Sequence, residues 1–197
     1  MSTMSPPLRV VPPPERTPAI ESAVLGTVIF IVTEVMLFAG LISALVIAKA
    51  STLGPWPPPD QPRLPIEATA FNTVVLLASG VVLYVAGRAY RRQPISAKTP
   101  FAIAIALGAF FVVFQGFEWV QLIGEGLTMT SGTLGAFFYL VVGMHALHAF
   151  AAIAVLGQMY VRLTRLQLAP GSFQAASIFW YFVVALWPIL YVQVYLV

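Results

Sequence analysis

Apolar residues fall in five long blocks, separated by short polar or proline-rich stretches. The blocks run over about 22–48, 68–90, 101–123, 132–160 and 174–197. Each is continuous and rich in Ala, Leu, Val and Ile, with no two-residue alternation. Crossing the hydrocarbon core takes roughly 20 apolar residues as a helix. A membrane β-barrel would instead show alternating strands of about ten residues. Lipid offers no partner to an unpaired backbone group, so no other structure serves at that depth. The pattern therefore predicts an all-α integral membrane protein of five transmembrane helices.

The breaks between blocks carry the turn chemistry. Residues 49–67 hold Trp56 and six prolines, which predicts an extended interfacial loop. Residues 91–100 are basic, residues 124–130 contain Gly124 and Gly126, and residues 161–173 contain Arg162, Arg165, Pro170 and Gly171. Residues 1–20 are rich in Pro, Ser and Thr and lack the apolar core of a signal peptide. They predict a disordered, Pro-rich cytoplasmic tail ahead of one transmembrane domain over 21–197.

Composition agrees with this reading. Hydrophobic residues make up 59% of the chain and charged residues 9%, against about 25% charged in an average soluble domain. There are no cysteines, which excludes disulfides, thiolate metal sites and thiol catalysis. Basic residues sit at block ends, so no nucleic-acid surface is indicated. With five spans, Arg9, Arg16, Arg88, Arg91, Arg92, Lys98, Arg162 and Arg165 share one side, and only Lys49 and Arg63 lie on the other. The bias predicts a cytoplasmic N-terminus and an external C-terminus. Trp56, Tyr90, Trp119, Tyr160 and Tyr195 lie near block ends and suit interfacial anchoring. No internal repeat is evident, which argues against transporters built from inverted repeats.

Candidate chemistry is confined to a few polar residues at membrane depth, where ionisable groups are rare and tend to be functional. Glu34 lies near the middle of the first block, and His145 and His148 near the middle of the fourth. The histidines are three residues apart and share a helix face. A carboxyl in an apolar setting favours its neutral form unless a donor such as histidine stabilises the charged one. Equal depth makes a mid-membrane Glu34–His145–His148 cluster one expectation. The other is that each group is satisfied separately, by a backbone carbonyl or a hydroxyl such as Thr33 or Ser43. Asn72, Gln115 and Glu118 lie toward the outer side and form a second candidate cluster. Its simplest role is to pin neighbouring helices together. Two histidines and one glutamate are too few for a self-contained haem, copper or di-metal centre. Phosphate-binding loops and paired serine nucleophiles are absent.

Several segments resemble one known family. TEVMLFAG at 33–40 resembles the S-E-V-x-F-F-A-G segment of subunit III of the haem–copper oxidases. FNTVVLLASG at 71–80 is similar to its L-N-T-x-x-L-L-x-S-G, and QGFEW at 115–119 to its Q-x-x-E-[YW]. GMHALH at 143–148 resembles G-x-H-G-L-H with Ala146 for Gly, and WYFVVALW at 180–187 resembles W-H-F-V-D-V-V-W. Trp56 and Pro57 fit the family's W-P-P loop. The matches keep their order and touch all five blocks. Tyr181 and Val184 stand where the family has His and Asp, which points to a divergent branch.

The resemblance implies a five-helix form of that fold, arranged around a V-shaped lipid-binding cleft. It implies an accessory, non-catalytic subunit without metal or cofactor, beside partner subunits that carry haem and copper. Catalytic subunit I would be the main partner, in a bacterial inner-membrane oxidase that draws electrons from cytochrome c or quinol. Stabilisation of that subunit, phospholipid binding and support of proton uptake during dioxygen reduction would be its tasks. Glu34 matches the family's membrane-buried glutamate that reacts with carbodiimides. Two alternatives remain at this stage: the related subunit of nitric oxide reductases, and an independent small proton-linked transporter using Glu34, His145 and His148.

Overall fold

The computed structural model describes residues 21–52 and 62–196. The expected N-terminal tail, Trp56 and the centre of the proline-rich loop lie outside the described residues. Five helices are long and apolar enough to cross a membrane. They are α1 (Ser22–Ser51), α2 (Ile66–Arg92), α3 (Lys98–Gly124), α4 (Thr133–Thr164) and α5 (Pro170–Tyr191). A short 3₁₀ turn, Pro94–Ala97, links α2 to α3, and a π-helical turn, Val192–Leu196, follows α5. No strand occurs among the described residues.

The helices outgrow the expected blocks by a few residues at most ends. The largest difference is the start of α5, where Pro170 and Gly171 belong to the first turn of the helix and not to a loop. Proline is at home there, because its missing N–H would be unpaired in a first turn anyway. The connection from α4 shrinks to residues 165–169 accordingly. Glu21, just ahead of α1, lays its carboxyl over Gly171, in the space a Cβ would need.

Helices α2, α3, α4 and α5 close a four-helix set: α2 packs on α3, α3 on α4, α4 on α5, and α5 back on α2. Helix α1 lies outside it, along α5 with a smaller contact to α4. Only Val24, Phe38 and Leu45 of α1 are buried. Two tryptophans of α5 fill the centre of the four-helix set. Trp180 Nε1 donates to Ser79 Oγ at 3.1 Å and Trp187 Nε1 to Thr73 Oγ1 at 2.8 Å, both on α2. A buried indole N–H usually finds an acceptor, and α2 supplies one to each of these two, six residues apart. Glycine makes room: a Cβ on Gly108 of α3 would stand 2.7 Å from the Trp180 ring. Small residues at such crossings let helices approach where no hydrophobic effect drives them together.

Cross-links fix the two ends of the bundle. At one end Tyr191 Oη donates to Ile66 O at 3.0 Å, and Lys49 Nζ donates to Gln193 O. At the other, Tyr90 Oη donates to Leu168 O at 2.6 Å. Tyr90 and Tyr160 also pack on Phe173 and Phe101 respectively, so they join helices as well as standing near the ends.

Helices α3 and α4 terminate in the same motif with different residues. After α3, Gly126 takes φ 96°, Leu127 N donates to Leu122 O and Gly126 N to Ile123 O. After α4, Leu166 takes φ 57°, Gln167 N donates to Arg162 O and Leu166 N to Leu163 O. The left-handed residue of this motif is usually glycine.

Candidate functional site

Glu34 extends from α1 toward α4, and its Oε2 lies 2.9 Å from His148 Nε2. The contact is close without the alignment of a hydrogen bond, and Glu34 Oε2 has no partner of hydrogen-bond geometry. His148 Nδ1 is 2.7 Å from Met144 O, one turn back in the same helix. A carbonyl can only accept, so Nδ1 carries a proton. The second ring nitrogen, Nε2, then faces the carboxyl. Phe30, Phe38 and Phe179 surround the His148 ring at centroid distances of 6.4, 5.5 and 6.5 Å.

His145 does not join this pair. Its ring lies against Trp187 at 5.0 Å, with Phe38 and Phe111 each at 6.4 Å. Both ring nitrogens lack a hydrogen-bond partner, although the residue is 1% exposed. Of the expected three-member cluster the structure brings Glu34 and His148 together and leaves His145 apart: both imidazoles touch Phe38, but His145 turns to Phe111 of α3 and Trp187 of α5. His148 Nδ1 takes a backbone carbonyl, whereas Thr33 Oγ1 donates to Phe30 O at 2.6 Å and serves none of the three ionisable groups.

The second group of polar residues forms around Glu118, which is 2% exposed. Gln115 Nε2 donates to Glu118 Oε2 at 2.8 Å and to Tyr195 Oη at 3.2 Å. Thr69 Oγ1 lies 3.2 and 3.1 Å from the two carboxyl oxygens and 2.8 Å from Pro65 O. A hydroxyl has one proton to give. Thr69 divides that proton between Pro65 O and the Glu118 carboxyl, and Gln115 donates to the same carboxyl. Asn72 stands apart from the carboxyl, with Nδ2 donating to Phe111 O at 3.1 Å. Thr69, Thr73, Trp187 and Tyr195 belong to this network and were not expected from the sequence. Tyr195 is buried and not an interfacial anchor, because the π turn winds it inward. Trp119 is likewise packed among Phe138 and Tyr139.

An apolar groove of about 590 Å³ runs between α1, α4 and α5, bounded by Gly26, Thr27, Val155 and Ala176. Phe30 and Phe179 line it and also touch His148. Among the described residues, no group of three or more His, Asp or Glu side chains is placed to hold a metal ion.

Five apolar helices with a carboxyl–imidazole pair at mid-depth define a multi-pass membrane protein. Comparison with known proteins specifies which kind. A family model described as "Cytochrome c oxidase subunit III" matches residues 15–197. The chain is 30% identical over 177 residues to a "Probable cytochrome c oxidase subunit 3" of Nocardia farcinica, covering 88% of this chain and 87% of that one. It is 34% identical over 182 residues to "Cytochrome c oxidase subunit 3" of Ornithorhynchus anatinus, covering 86% and 67% respectively. The chain therefore belongs to the cytochrome c oxidase subunit III family. It is a haem–copper oxidase subunit III of the respiratory chain, a multi-pass membrane protein that works in a complex with other oxidase subunits.

Proposed function

We propose that this subunit is accessory and non-catalytic. It braces catalytic subunit I, holds phospholipid and supports proton uptake during dioxygen reduction. The observation that carries the proton reading is the Glu34–His148 contact at 2.9 Å, with Nδ1 committed to Met144 O. A proton handed from one member of such a pair to the other would move no net charge into the surrounding lipid. The lipid reading rests on the groove of about 590 Å³ beside that pair, an apolar trough suited to an acyl chain. We assign to it the lipid seat of the expected V-shaped cleft.

Lodging lipid beside the pair would exclude water from it and keep subunits in register. The basic residues Arg88, Arg91, Arg92, Lys98, Arg162 and Arg165 cluster toward one end of the bundle. By the positive-inside bias that end faces the cytoplasm of a bacterial cell, with the C-terminus outside.

The test is turnover of the purified complex. Glu34→Ala or His148→Ala should leave the initial rate of oxygen consumption near that of the parent and shorten the period over which turnover is sustained. Bound phospholipid should fall in parallel. Loss of all initial activity in an assembled complex would instead indicate a direct catalytic role. Haem bands should co-purify with the tagged chain in mild detergent, and oxygen against nitric oxide consumption by that eluate decides between the two reductase types.

A further inference from the structure

Where α2 packs on α5, four polar side chains meet that the chain itself leaves without an acceptor. Tyr84, Arg88 and Arg91 follow at spacings of four and three residues, so they share one face of α2, and all three are exposed. Tyr181 of α5 joins them: Arg91 and Tyr84 lie within electrostatic reach of its hydroxyl. Tyr181 follows Phe179 by two residues, which turns it roughly half way around α5 from the groove that Phe179 lines. The hydroxyls of Tyr90, Tyr139 and Tyr191 each donate to a carbonyl of the chain. Those of Tyr84 and Tyr181 have no hydrogen-bond partner among the described residues, and no carboxylate pairs with Arg88 or Arg91 there. Glu21, the carboxyl at this end among the described residues, lies over Gly171 instead.

We propose that this face seats an acidic phospholipid, its phosphate held by Arg88, Arg91 and the hydroxyls of Tyr84 and Tyr181. Two guanidinium groups and two phenols form a set of donors, and hydrocarbon offers them no acceptor. Phosphate fits such a set, because arginine binds it through paired N–H groups. The acyl chain has its place on the same stripe of α2, deeper in the membrane, where Leu77 and Val81 are exposed. Helix α5 walls that stripe closely: a Cβ on Gly80 would stand 3.1 Å from Val184 Cγ1. Arginine near a membrane surface favours acidic over zwitterionic lipid, and the two hydroxyls fix the level at which the phosphate stops. Tyr181 stands where the family pattern has His, so the seat belongs to this chain and not to that pattern. It is independent of the groove beside Glu34 and requires only that the chain spans the membrane.

The test uses the purified complex in nanodiscs that contain a trace of phosphatidylglycerol with a diazirine near its glycerol, or phosphatidylcholine with the same group. After illumination, adducts are mapped by mass spectrometry on peptides of α1, α2 and α5. Phosphatidylglycerol should label the peptides around Tyr84 and Tyr181 severalfold more than phosphatidylcholine does. Arg88→Gln with Arg91→Gln should bring it down to the phosphatidylcholine level. Tyr84→Phe with Tyr181→Phe should lower it by a smaller factor, and labelling of α1 along the groove should hold in both. Equal labelling by the two lipids in the parent would overturn the proposal, as would a signal that either pair of substitutions leaves unchanged. A parallel fall on α1, or a face that neither lipid reaches because a partner subunit covers it, would overturn it too. So would loss of the preference in excess inorganic phosphate but not in chloride of equal ionic strength, which would assign the seat to a soluble anion.

Discussion

Two buried carboxyls sit in this bundle in opposite circumstances. Glu118 is buried where α2, α3 and the turn after α5 meet, with Gln115 and Thr69 on its oxygens and Tyr195 beyond them. Glu34 belongs to the outermost helix, keeps 14% of its side chain exposed, and has one close neighbour whose geometry falls short of a hydrogen bond. Its sequence neighbours Val35 and Met36 are exposed on the surface of α1. The difference separates structure from reactivity. A carboxyl with both oxygens accepting hydrogen bonds serves the packing around it. A carboxyl on the outermost helix, with one close imidazole and no hydrogen bond holding its Oε2, is the one placed to react and exchange.

The largest expected effect of breaking the contrast is on stability. Glu118→Leu removes the shorter partner of Gln115 Nε2 and the carboxyl beside Thr69, leaving them only Tyr195 Oη and Pro65 O, and a lost hydrogen bond to a buried polar group costs about 1–3 kcal/mol. The variant should lower the thermal midpoint of the detergent-solubilised subunit clearly, while Glu34→Gln should lower it little. Equal losses would remove the distinction between the two sites. A smaller loss, about 1 kcal/mol, is expected for Trp187→Phe, which keeps most of the ring but drops the bond to Thr73. Its thermal midpoint should fall between those of the Glu118 and Glu34 variants. The smallest effect lies away from both carboxyls and has the opposite sign. Leu166 holds φ 57° at the end of α4 and is 71% exposed. Relieving a left-handed non-glycine residue is worth about 1 kcal/mol, so Leu166→Gly should raise the midpoint slightly; a drop would mean that Leu166 makes contacts worth more than its strain.

The two regions also differ in how legible they were in the sequence. Five helices followed from apolar block length alone, because lipid leaves the backbone no alternative. Depth along the blocks placed Glu34 level with the histidines, and the contact with His148 lies where that depth puts it. Depth does not encode rotation about the helix axis, so His145 was drawn into the same cluster when it turns toward Trp187 instead. Around Glu118, the three polar residues of the expected group were visible by their rarity, but Thr69 and Thr73 read as ordinary residues near a helix start. Trp187 read as one aromatic in a motif, and its bond to α2 depends on a helix crossing. Tyr195 read as an interfacial anchor because its position was counted along a regular helix. The π turn after Pro188 changes that register, and proline's missing N–H is a signal that could have raised the question.

The most direct test of the contrast is a carbodiimide reaction on the membrane-embedded complex, followed by mass spectrometry of the α1 and α3 peptides. The account predicts adducts on Glu34, none on Glu118, and complete loss of labelling in Glu34→Gln. Labelling of Glu118 at a comparable level, or adducts that persist unchanged in Glu34→Gln, would contradict it.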